Sequence, residues 1–114
     1  LVAVENGNVS GWVSLTAVSG RSVYAGVAEV SIYVAPEAQG KGIGRQLLEE
    51  LVKESEQNNF WTLQAIIFPE NTGSLRIHEH CGFRVIGRRE KIGKMNDHWR
   101  DTLLLERRST VVGV

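Results

Sequence analysis

A chain of 114 residues is long enough for one domain with a hydrophobic core and too short for two. Its hydrophobic share of 42% and charged share of 23% are those of an ordinary globular protein, which excludes a disordered chain and a coiled coil. Thirteen basic side chains balance thirteen acidic ones, so no overall positive field exists to attract nucleic acid or an anionic membrane.

The sequence carries one cysteine, Cys81, and no apolar run near the roughly 20 residues that span a bilayer. A single cysteine cannot form an internal disulfide, so nothing argues for an oxidising compartment. We therefore predict a cytoplasmic protein with neither nucleic-acid nor membrane partners. The chain opens at Leu1, without an initiator Met and directly in a strand-like segment, which raises the expectation of a fragment of a longer protein.

The first third of the chain shows strand patterns. Asn6 and Gly7 supply the positive φ values of a tight turn, so segments 1–4 and 9–15 are predicted to form an antiparallel hairpin. Alternating apolar and polar residues predict a third strand over residues 27–34.

The pattern then changes to a helical period. Residues 42–58 place their large apolar side chains on one stripe and predict a helix. The nearly continuous apolar run 60–67 predicts a central strand covered on both faces. Residues 72–81 predict a second helix, with Asn71 as its N-cap.

Two closing strands are predicted over 83–87 and 99–106. Residues 1–114 therefore form a single domain with the order β-β-β-α-β-α-β-β. We predict an α/β (α+β) fold, in which one mixed, mostly antiparallel sheet carries a helix on each face.

A glycine-rich turn, with Gly40, Gly42 and Gly44, lies between the third strand and the first helix. The helix directs its unpaired N–H groups and the positive end of its dipole into the space that these glycines leave, a combination that binds phosphates. Lys41 and Arg45 add positive charge. The alternative is a connection that is only flexible. Phosphate binding is favoured because each glycine weakens a helix by about 1 kcal/mol relative to alanine.

Two other phosphate-binding motifs fit less well. A Walker loop requires GxxxxGK[ST], whereas Lys41 lies inside the glycine run with no Ser or Thr beside it. A Rossmann fingerprint requires GxGxxG and an acidic residue about 20 residues further on. The spacing here is GxGxG, and residues 60–64 contain no acid.

The combined motifs resemble the GNAT superfamily of N-acetyltransferases. Residues 39–44 match its Q/R-x-x-G-x-G/A signature, and residues 71–83 match its second motif, N-x-x-[AS]-…-G-F. Residues 21–24 and 27–34 are similar to the R-x-x-Y…VE…YV run of the phosphinothricin and methionine-sulfone acetyltransferase branch. The family fold begins with one strand and two helices ahead of the segment at Leu1, so the resemblance implies an N-terminally truncated domain.

This resemblance implies transfer of acetyl from acetyl-coenzyme A, by direct attack, to the primary amine of a small amino-acid-like acceptor. It implies that the following residues bind acetyl-coenzyme A: Ile32, Tyr33, Val34, Gln39, Gly40, Lys41, Gly42, Ile43, Gly44, Arg45, Asn71 and His80. It implies that the acceptor contacts Ser22, Val23 and Tyr24. For Tyr24, the alternative is simple packing against Trp12.

Two residues are candidates for catalysis. Glu29 precedes the expected thioester site and is the candidate base, acting through water; the alternative is a cross-strand or solvent-facing residue. His78 stands where many relatives have a Tyr and is a candidate proton donor to the leaving thiolate. A structural histidine is the alternative at that position.

The run from His78 to Cys81 also contains His80, but this spacing on a helix points possible metal ligands to different faces, so no metal is expected. Cys81 is interpreted as a small buried hydrophobe rather than a nucleophile.

Two other functions stay open. One is a non-catalytic module that binds acyl-coenzyme A, and the other is an acetyltransferase for a protein N-terminus, a lysine or an aminoglycoside. The balanced charge argues against polyamine or aminoglycoside acceptors, which usually require an acidic pocket. The resemblance implies that the missing strand and helices normally help wall the acceptor site, and their absence, with the exposed sheet edges, favours a homodimer.

Overall fold

The computed structural model describes residues 1–5 and 7–114. Within those residues, one sheet contains six strands and is accompanied by two α-helices. The strands are β1 (Val2–Glu5), β2 (Asn8–Ala17), β3 (Val27–Val34), β4 (Thr62–Ile67), β5 (Arg84–Met95) and β6 (His98–Arg108), and the helices are α1 (Ile43–Gln57) and α2 (Thr72–His80). Two short 3-10 turns span Ser22–Tyr24 and Pro36–Ala38. Among the described helices, none is both long and apolar enough to cross a bilayer.

The strands lie in the order β1-β2-β3-β4-β6-β5. Neighbours are antiparallel except β3 and β4, which run parallel and are connected through α1. This confirms the predicted element order and the mixed, mostly antiparallel sheet. The first hairpin is also confirmed by the pairing of β1 with β2, although Asn6 of its predicted turn lies outside the described residues.

The core forms because α1 is amphipathic. Leu47, Leu48 and Leu51 are buried on one side of this helix, as its apolar stripe predicts. They pack in one cluster with apolar side chains from several strands, including Val13 of β2 and Leu105 of β6. Burying this stripe, rather than helix propensity, holds α1 on the sheet.

Both helices lie on the same face of the sheet, so the predicted placement of one helix on each face was wrong. A Cβ atom built on Gly44 of α1 would lie 3.2 Å from Ile77 Cδ1 of α2, so the two helices are in contact. On β6, Arg107 lies 3.6 Å from Glu56 of α1 and beside Gly82, which follows α2. The side chain of Arg107 therefore meets both helices from one face.

The strand β4 shows why the placement was misread. Leu63, Ala65 and Ile67 are buried, whereas Ile66 between them is 43% exposed. The run 60–67 therefore contains a strand that is covered on one face only. Apolar residues on both faces of this strand made it look like one that is covered on both. We call the opposite face, against which neither α-helix packs, the open face; it carries Trp12, Glu29, Tyr33, Gln64, Ile66 and Glu106.

The hairpin of β5 and β6 is much longer than the two short strands predicted. Its turn contains Asn96 and Asp97, with φ values of 50° and 64°, which these short polar side chains tolerate well. β5 is exposed along its whole length, so no buried alternation marks it in the sequence. Its pairing shifts between Arg89 and Gly93, where Lys91 has a positive φ of 47° and donates its N–H to Asp101 Oδ1 at 2.8 Å.

We expect Leu48→Ala to destabilise the protein by about 2–5 kcal/mol, because Leu48 is 0% exposed and its removal leaves a cavity between α1 and the sheet. Ile86→Ala is the control, since Ile86 is 42% exposed and its truncation should cost no more than about 0.5 kcal/mol. Urea unfolding of both variants measures the difference. Equal losses would contradict the packing described for α1.

Candidate active site

The strands β3 and β4 lie side by side for only three residue pairs. The pairing runs from Val27 opposite Thr62 to Glu29 opposite Gln64 and stops there. Beyond that pair, β3 stays paired with β2 and β4 stays paired with β6. A gap therefore opens in the middle of the sheet, next to residues 30–34.

Alternate residues of β3 direct their backbone groups into this gap. Ala35, just after β3, donates its N–H to the carbonyl of Ser10 at 2.8 Å, on the β2 side. Because backbone direction alternates along a strand, the N–H of Tyr33 also points to β2. The N–H groups of Ile32 and Val34 point the other way, into the gap.

The N-terminus of α1 borders a cavity of about 500 Å³, which lies between this helix, α2 and the end of β3. The first hydrogen bond of α1 runs from the N–H of Gln46 to the carbonyl of Gly42, at 3.1 Å. The N–H groups of Ile43, Gly44 and Arg45 therefore have no acceptor within the helix. These donors and the helix dipole make this end of the cavity suitable for an anion.

Three glycines of the predicted cradle have two different structural roles. Gly40 and Gly42 have φ values of 82° and 78°, a conformation that L side chains rarely adopt, and both line the cavity. Gly44 is buried in α1, where an added Cβ would lie 3.2 Å from both Val34 Cγ2 and Ile77 Cδ1. It therefore allows α1 to approach β3 and α2 closely.

Positive charge at this cavity comes from the helix end and from Arg45, which lines the wall. Arg45 Nε also donates to Glu49 Oε1 at 2.9 Å, and this hydrogen bond lowers the pKa of the Glu49 carboxyl. Gln39 lines the same cavity, and its Nε2 lies 3.5 Å from the carbonyl of Val34. Lys41 is exposed and lies outside the cavity lining.

A second cavity, of about 250 Å³, adjoins the first and lies at the gap between β3 and β4. The two share the lining residues Ile32, Asn71 and Ser74. The second is also lined by Glu29 and His78. The pair forms a path from the N-terminus of α1, through the gap, to the carboxylate on the open face.

The side chains of Asn71 and Glu29 are each held by one hydrogen bond. The side chain of Asn71 accepts the N–H of Ser74 at 3.2 Å, which confirms it as the N-cap of α2. Glu29 is half-buried, and its Oε1 accepts from Gln64 Nε2 at 2.9 Å. These two side chains, which line the second cavity, are thus held in place by residues of α2 and β4.

His78 is buried at 1% exposure, and its ring packs against that of Phe83 in a T-shaped arrangement with a centroid distance of 5.1 Å. Its Nδ1 lies 2.8 Å from the carbonyl of Ser74, which can only accept, so Nδ1 carries a hydrogen. Burial lowers the pKa of His78, and the hydrogen bond to Ser74 opposes that effect without cancelling it. The ring is therefore neutral near pH 7.

Several predicted site residues lie away from both cavities. His80 is exposed, with Nε2 3.9 Å from Glu49 Oε1, and it lies outside the lining of both cavities. Tyr33 stacks on Trp12 on the open face, at a centroid distance of 6.0 Å. The candidate acceptor segment Ser22–Tyr24 is an exposed 3-10 turn, and Tyr24 is not the residue that stacks on Trp12.

Sequence reasoning missed Gln64 and Ser74. Ser74 is part of the second motif and lines both cavities, so the motif itself carried that signal. Gln64 lies 35 residues from Glu29 in an apolar run, and only the pairing of β3 with β4 connects the two.

Cys81 is half-buried, and burial raises the pKa of its thiol, which makes it a poor nucleophile. His78 is buried and His80 is exposed, so the two imidazoles occupy different faces of α2. The described residues contain no group of three or more side chains suited to hold a metal ion.

Comparison with known proteins agrees with this geometry. The phosphinothricin N-acetyltransferase of Alcaligenes faecalis is 37% identical over 94% of this chain and 55% of its own length. The L-methionine sulfoximine/L-methionine sulfone acetyltransferase of Salmonella typhimurium is 33% identical over 93% of this chain and 62% of its own. This chain therefore spans less than two thirds of the length of these two relatives.

A solved acetyltransferase structure also resembles this chain. The phosphinothricin acetyltransferase of Sinorhizobium meliloti, in complex with AcCoA, superposes with a TM-score of 0.90 and 34% identity, over 98% of this chain and 61% of that one. The sequence pattern of the acetyltransferase (GNAT) family matches residues 1–83. The chain belongs to the acetyltransferase (GNAT) family.

Proposed function

We propose that this protein transfers the acetyl group of acetyl-coenzyme A to the primary amine of a small amino-acid-like acceptor. The acceptor class is that of phosphinothricin and methionine sulfone or sulfoximine, which the names of the relatives support. One observation carries the proposal: two adjoining cavities connect an anion-binding helix end to a half-buried carboxylate through a gap in the sheet.

The walls of the two cavities fit two neighbouring parts of coenzyme A, the pyrophosphate and the pantetheine arm. Gly40, Gly42 and the free N–H groups at residues 43–45 would hold the pyrophosphate, with Arg45 adding charge. The pantetheine arm is an extended chain with amide groups, which matches an unpaired strand edge. Asn71, whose side-chain oxygen caps α2, would bind that arm through its side-chain N–H groups.

Acetyl-coenzyme A would supply the acetyl group as a reactive thioester. The N–H of Ile32 or Val34 would donate to the thioester oxygen, because these are the donors that β3 directs into the gap. A donor fixed in place before the reaction stabilises the negative charge that develops on that oxygen, typically by a few kcal/mol. Tyr33 would contribute packing only, since its own N–H is directed to β2.

Glu29 would remove the first proton. Its carboxylate takes a proton from the acceptor ammonium through water, which frees the nitrogen lone pair. The carbon–nitrogen bond then forms and the carbon–sulfur bond breaks. The departing thiolate takes up the second proton lost by the nitrogen, so the products are an amide and a thiol.

His78 would position α2 rather than donate that second proton. The proton of its neutral ring lies on Nδ1, where Ser74 accepts it. With the ring buried and its pKa lowered, the protonated form that an acid requires is scarce near neutral pH. We therefore propose that the thiolate takes the proton that the nitrogen loses, either directly or relayed through water.

We also propose that the protein acts in the cytoplasm as a homodimer. Its cysteine has a free thiol, as expected in a reducing compartment. The edge strands β1 and β5 expose apolar side chains, including Val2, Val4, Val85 and Ile86, which would favour self-association. Sedimentation velocity across a concentration series tests the dimer.

Gly42→Trp should weaken coenzyme A binding by about 100-fold or more, because the new side chain would project from the cavity wall into the proposed pyrophosphate site. Gly7→Trp is the matched control, since Gly7 has a similar φ of 79° but lies between β1 and β2. Calorimetric titration with coenzyme A measures both. Unchanged affinity in Gly42→Trp would remove the pyrophosphate site from this proposal.

Glu29→Gln should lower kcat/KM by about 100- to 10,000-fold while leaving coenzyme A binding intact. The loss should be greatest at low pH, where the acceptor is an ammonium ion, and smaller at high pH, where the amine is already free. A thiol-release assay with methionine sulfone, methionine sulfoximine and phosphinothricin checks this, with Glu37→Gln as an exposed control. A variant that loses activity equally at every pH would discard Glu29 as the base.

If coenzyme A binds but acetyl-coenzyme A releases no thiol with any acceptor of a broad amine panel, the alternative of a non-catalytic module is favoured. Adding a peptide with a free N-terminus and a lysine peptide to the acceptors separates the other open class.

His78 should make the protein less stable in mild acid. Unfolded His78 binds a proton below its ordinary pKa of 6.5, whereas the folded ring resists until lower pH. In that window the unfolded state binds more protons than the folded state. The free energy of unfolding therefore decreases as the pH is lowered, by up to about 1.4 kcal/mol per pH unit. Above it the contribution is fully present.

Urea unfolding from about pH 8 to about pH 5 measures this dependence. His78→Asn keeps a donor for Ser74 but cannot titrate, so its stability should fall less over the same window, although its absolute stability is lower. A variant with the same slope as the wild type would show that other groups cause the acid sensitivity.

A further inference from the structure

Three side chains on the open face form a row across three neighbouring strands. Glu29 of β3 pairs in register with Gln64 of β4, and Gln64 pairs in register with Glu106 of β6. The sequence separates these residues widely, and the sheet brings them together. We propose that Gln64 is a positioning residue that holds the carboxylate of Glu29 for deprotonation of the acceptor amine; this rests on the proposed function.

The hydrogen bond defines the orientation of the carboxylate. Gln64 Nε2 donates to Glu29 Oε1 at 2.9 Å between half-buried side chains. Within the described part of the chain, no second side chain or backbone group bonds to this carboxylate. One oxygen is thus restrained by the amide, and Oε2 is left to receive a proton.

The place of this pair in the sheet is what connects it to the reaction. Glu29 and Gln64 are the last paired residues before β3 and β4 separate. The carboxylate therefore lies where the gap begins, and Gln64 fixes it relative to β4 as well as to its own strand. Without a hydrogen bond to a second strand, the carboxylate of Glu29 could change position whenever its own side chain changed rotamer.

The neutrality of Gln64 is the second part of the argument. On its other side, Glu106 is bound by Arg84, with 3.3 Å between Arg84 Nη2 and Glu106 Oε2. The row thus alternates carboxylate, amide and carboxylate, with an arginine at its end. A carboxylate at position 64 would face like charge on both sides, whereas the amide offers its N–H groups to Glu29 and leaves it free to accept a proton.

The competing explanation is a cross-strand pair that stabilises the sheet and nothing more. Such a pair contributes about 0.2–1 kcal/mol to stability, and its loss would affect turnover in the same way whether or not a base is present. A positioning role predicts instead that the effect of Gln64 depends on Glu29.

A double-mutant cycle on the whole protein separates the two. Gln64→Leu should lower kcat/KM by about 10-fold when Glu29 is present and by less than about twofold in the Glu29→Gln background. Thr62→Val, on the same strand and face, should leave kcat/KM within about twofold of the wild type. Equal losses in both backgrounds would overturn the positioning role and leave the proposed function standing.

The pH profile of kcat/KM provides a further readout. Gln64→Glu should move the acid limb of the profile to higher pH, because a second carboxylate opposes ionisation of Glu29. Thr16 of β2 faces Glu29 without a charge, His78 of α2 lines the same cavity, and Glu106 lies beyond Gln64. Repeating the profile in His78→Asn excludes the imidazole as the source, and an unmoved acid limb in Gln64→Glu would count against the proposal.

The protein without any ligand gives an independent test. The side-chain amide resonances of Gln64, recorded by ¹H–¹⁵N NMR, should shift as Glu29 titrates and should lose that response in Glu29→Gln. If the chemical shifts of these resonances do not change with pH, the proposal is overturned even if the enzyme is active. If the amide responds but the wild type acetylates no acceptor, the proposed function fails, and with it any role of this hydrogen bond in turnover.

Discussion

The architecture of this protein depends on the early end of pairing between β3 and β4. Two parallel strands normally satisfy each other's backbone groups along their length, yet these do so for three residue pairs only. The unpaired edge of β3 is left with donors that lack strand partners. A buried backbone donor without a partner is costly, so an edge of this kind is suited to a ligand that brings its own amide groups.

The placement of both helices on one face makes the gap usable from two sides. On the helix face, Gly44 lets α1 approach β3 and α2, so the helix end is directed at the gap. On the open face, Glu29 and Gln64 meet where the strands part. Under the proposed function, an anion would be held on one side of the sheet while a proton is removed on the other.

The sequence predicted those parts of the fold that local patterns encode. The stripe of α1, the N-cap at Asn71 and the alternation in β3 each depend on neighbours within a few residues, and all three were correct. The placement of the two helices on opposite faces was predicted wrongly. The helical spacing of apolar residues shows that one side of a helix is buried, but not on which face of the sheet the helix lies. The extension of β5 beyond residue 87 was missed, because a strand that is exposed along its whole length carries no burial signal.

Those parts of the site that are formed by residues close together in the sequence could be predicted, and those formed by distant residues could not. The glycines of the helix end could be identified from one motif, because a helix and the turn before it are continuous in the chain. The partner of Glu29 could not, because a contact across 35 residues requires knowledge of the strand order. His80 follows the cavity residue His78 closely in sequence, but the turn of α2 directs its side chain towards Glu49.

The irregular pairing around Lys91 bears on how this protein avoids aggregation. An exposed twelve-residue edge strand would ordinarily be a template for adding strands from other molecules. Here the left-handed backbone at Lys91 breaks the regular strand geometry, and its N–H turns to Asp101 of the neighbouring β6. An incoming strand could match only a few consecutive hydrogen bonds before losing alignment, so this irregularity protects the longest edge of the sheet against fibril-like growth.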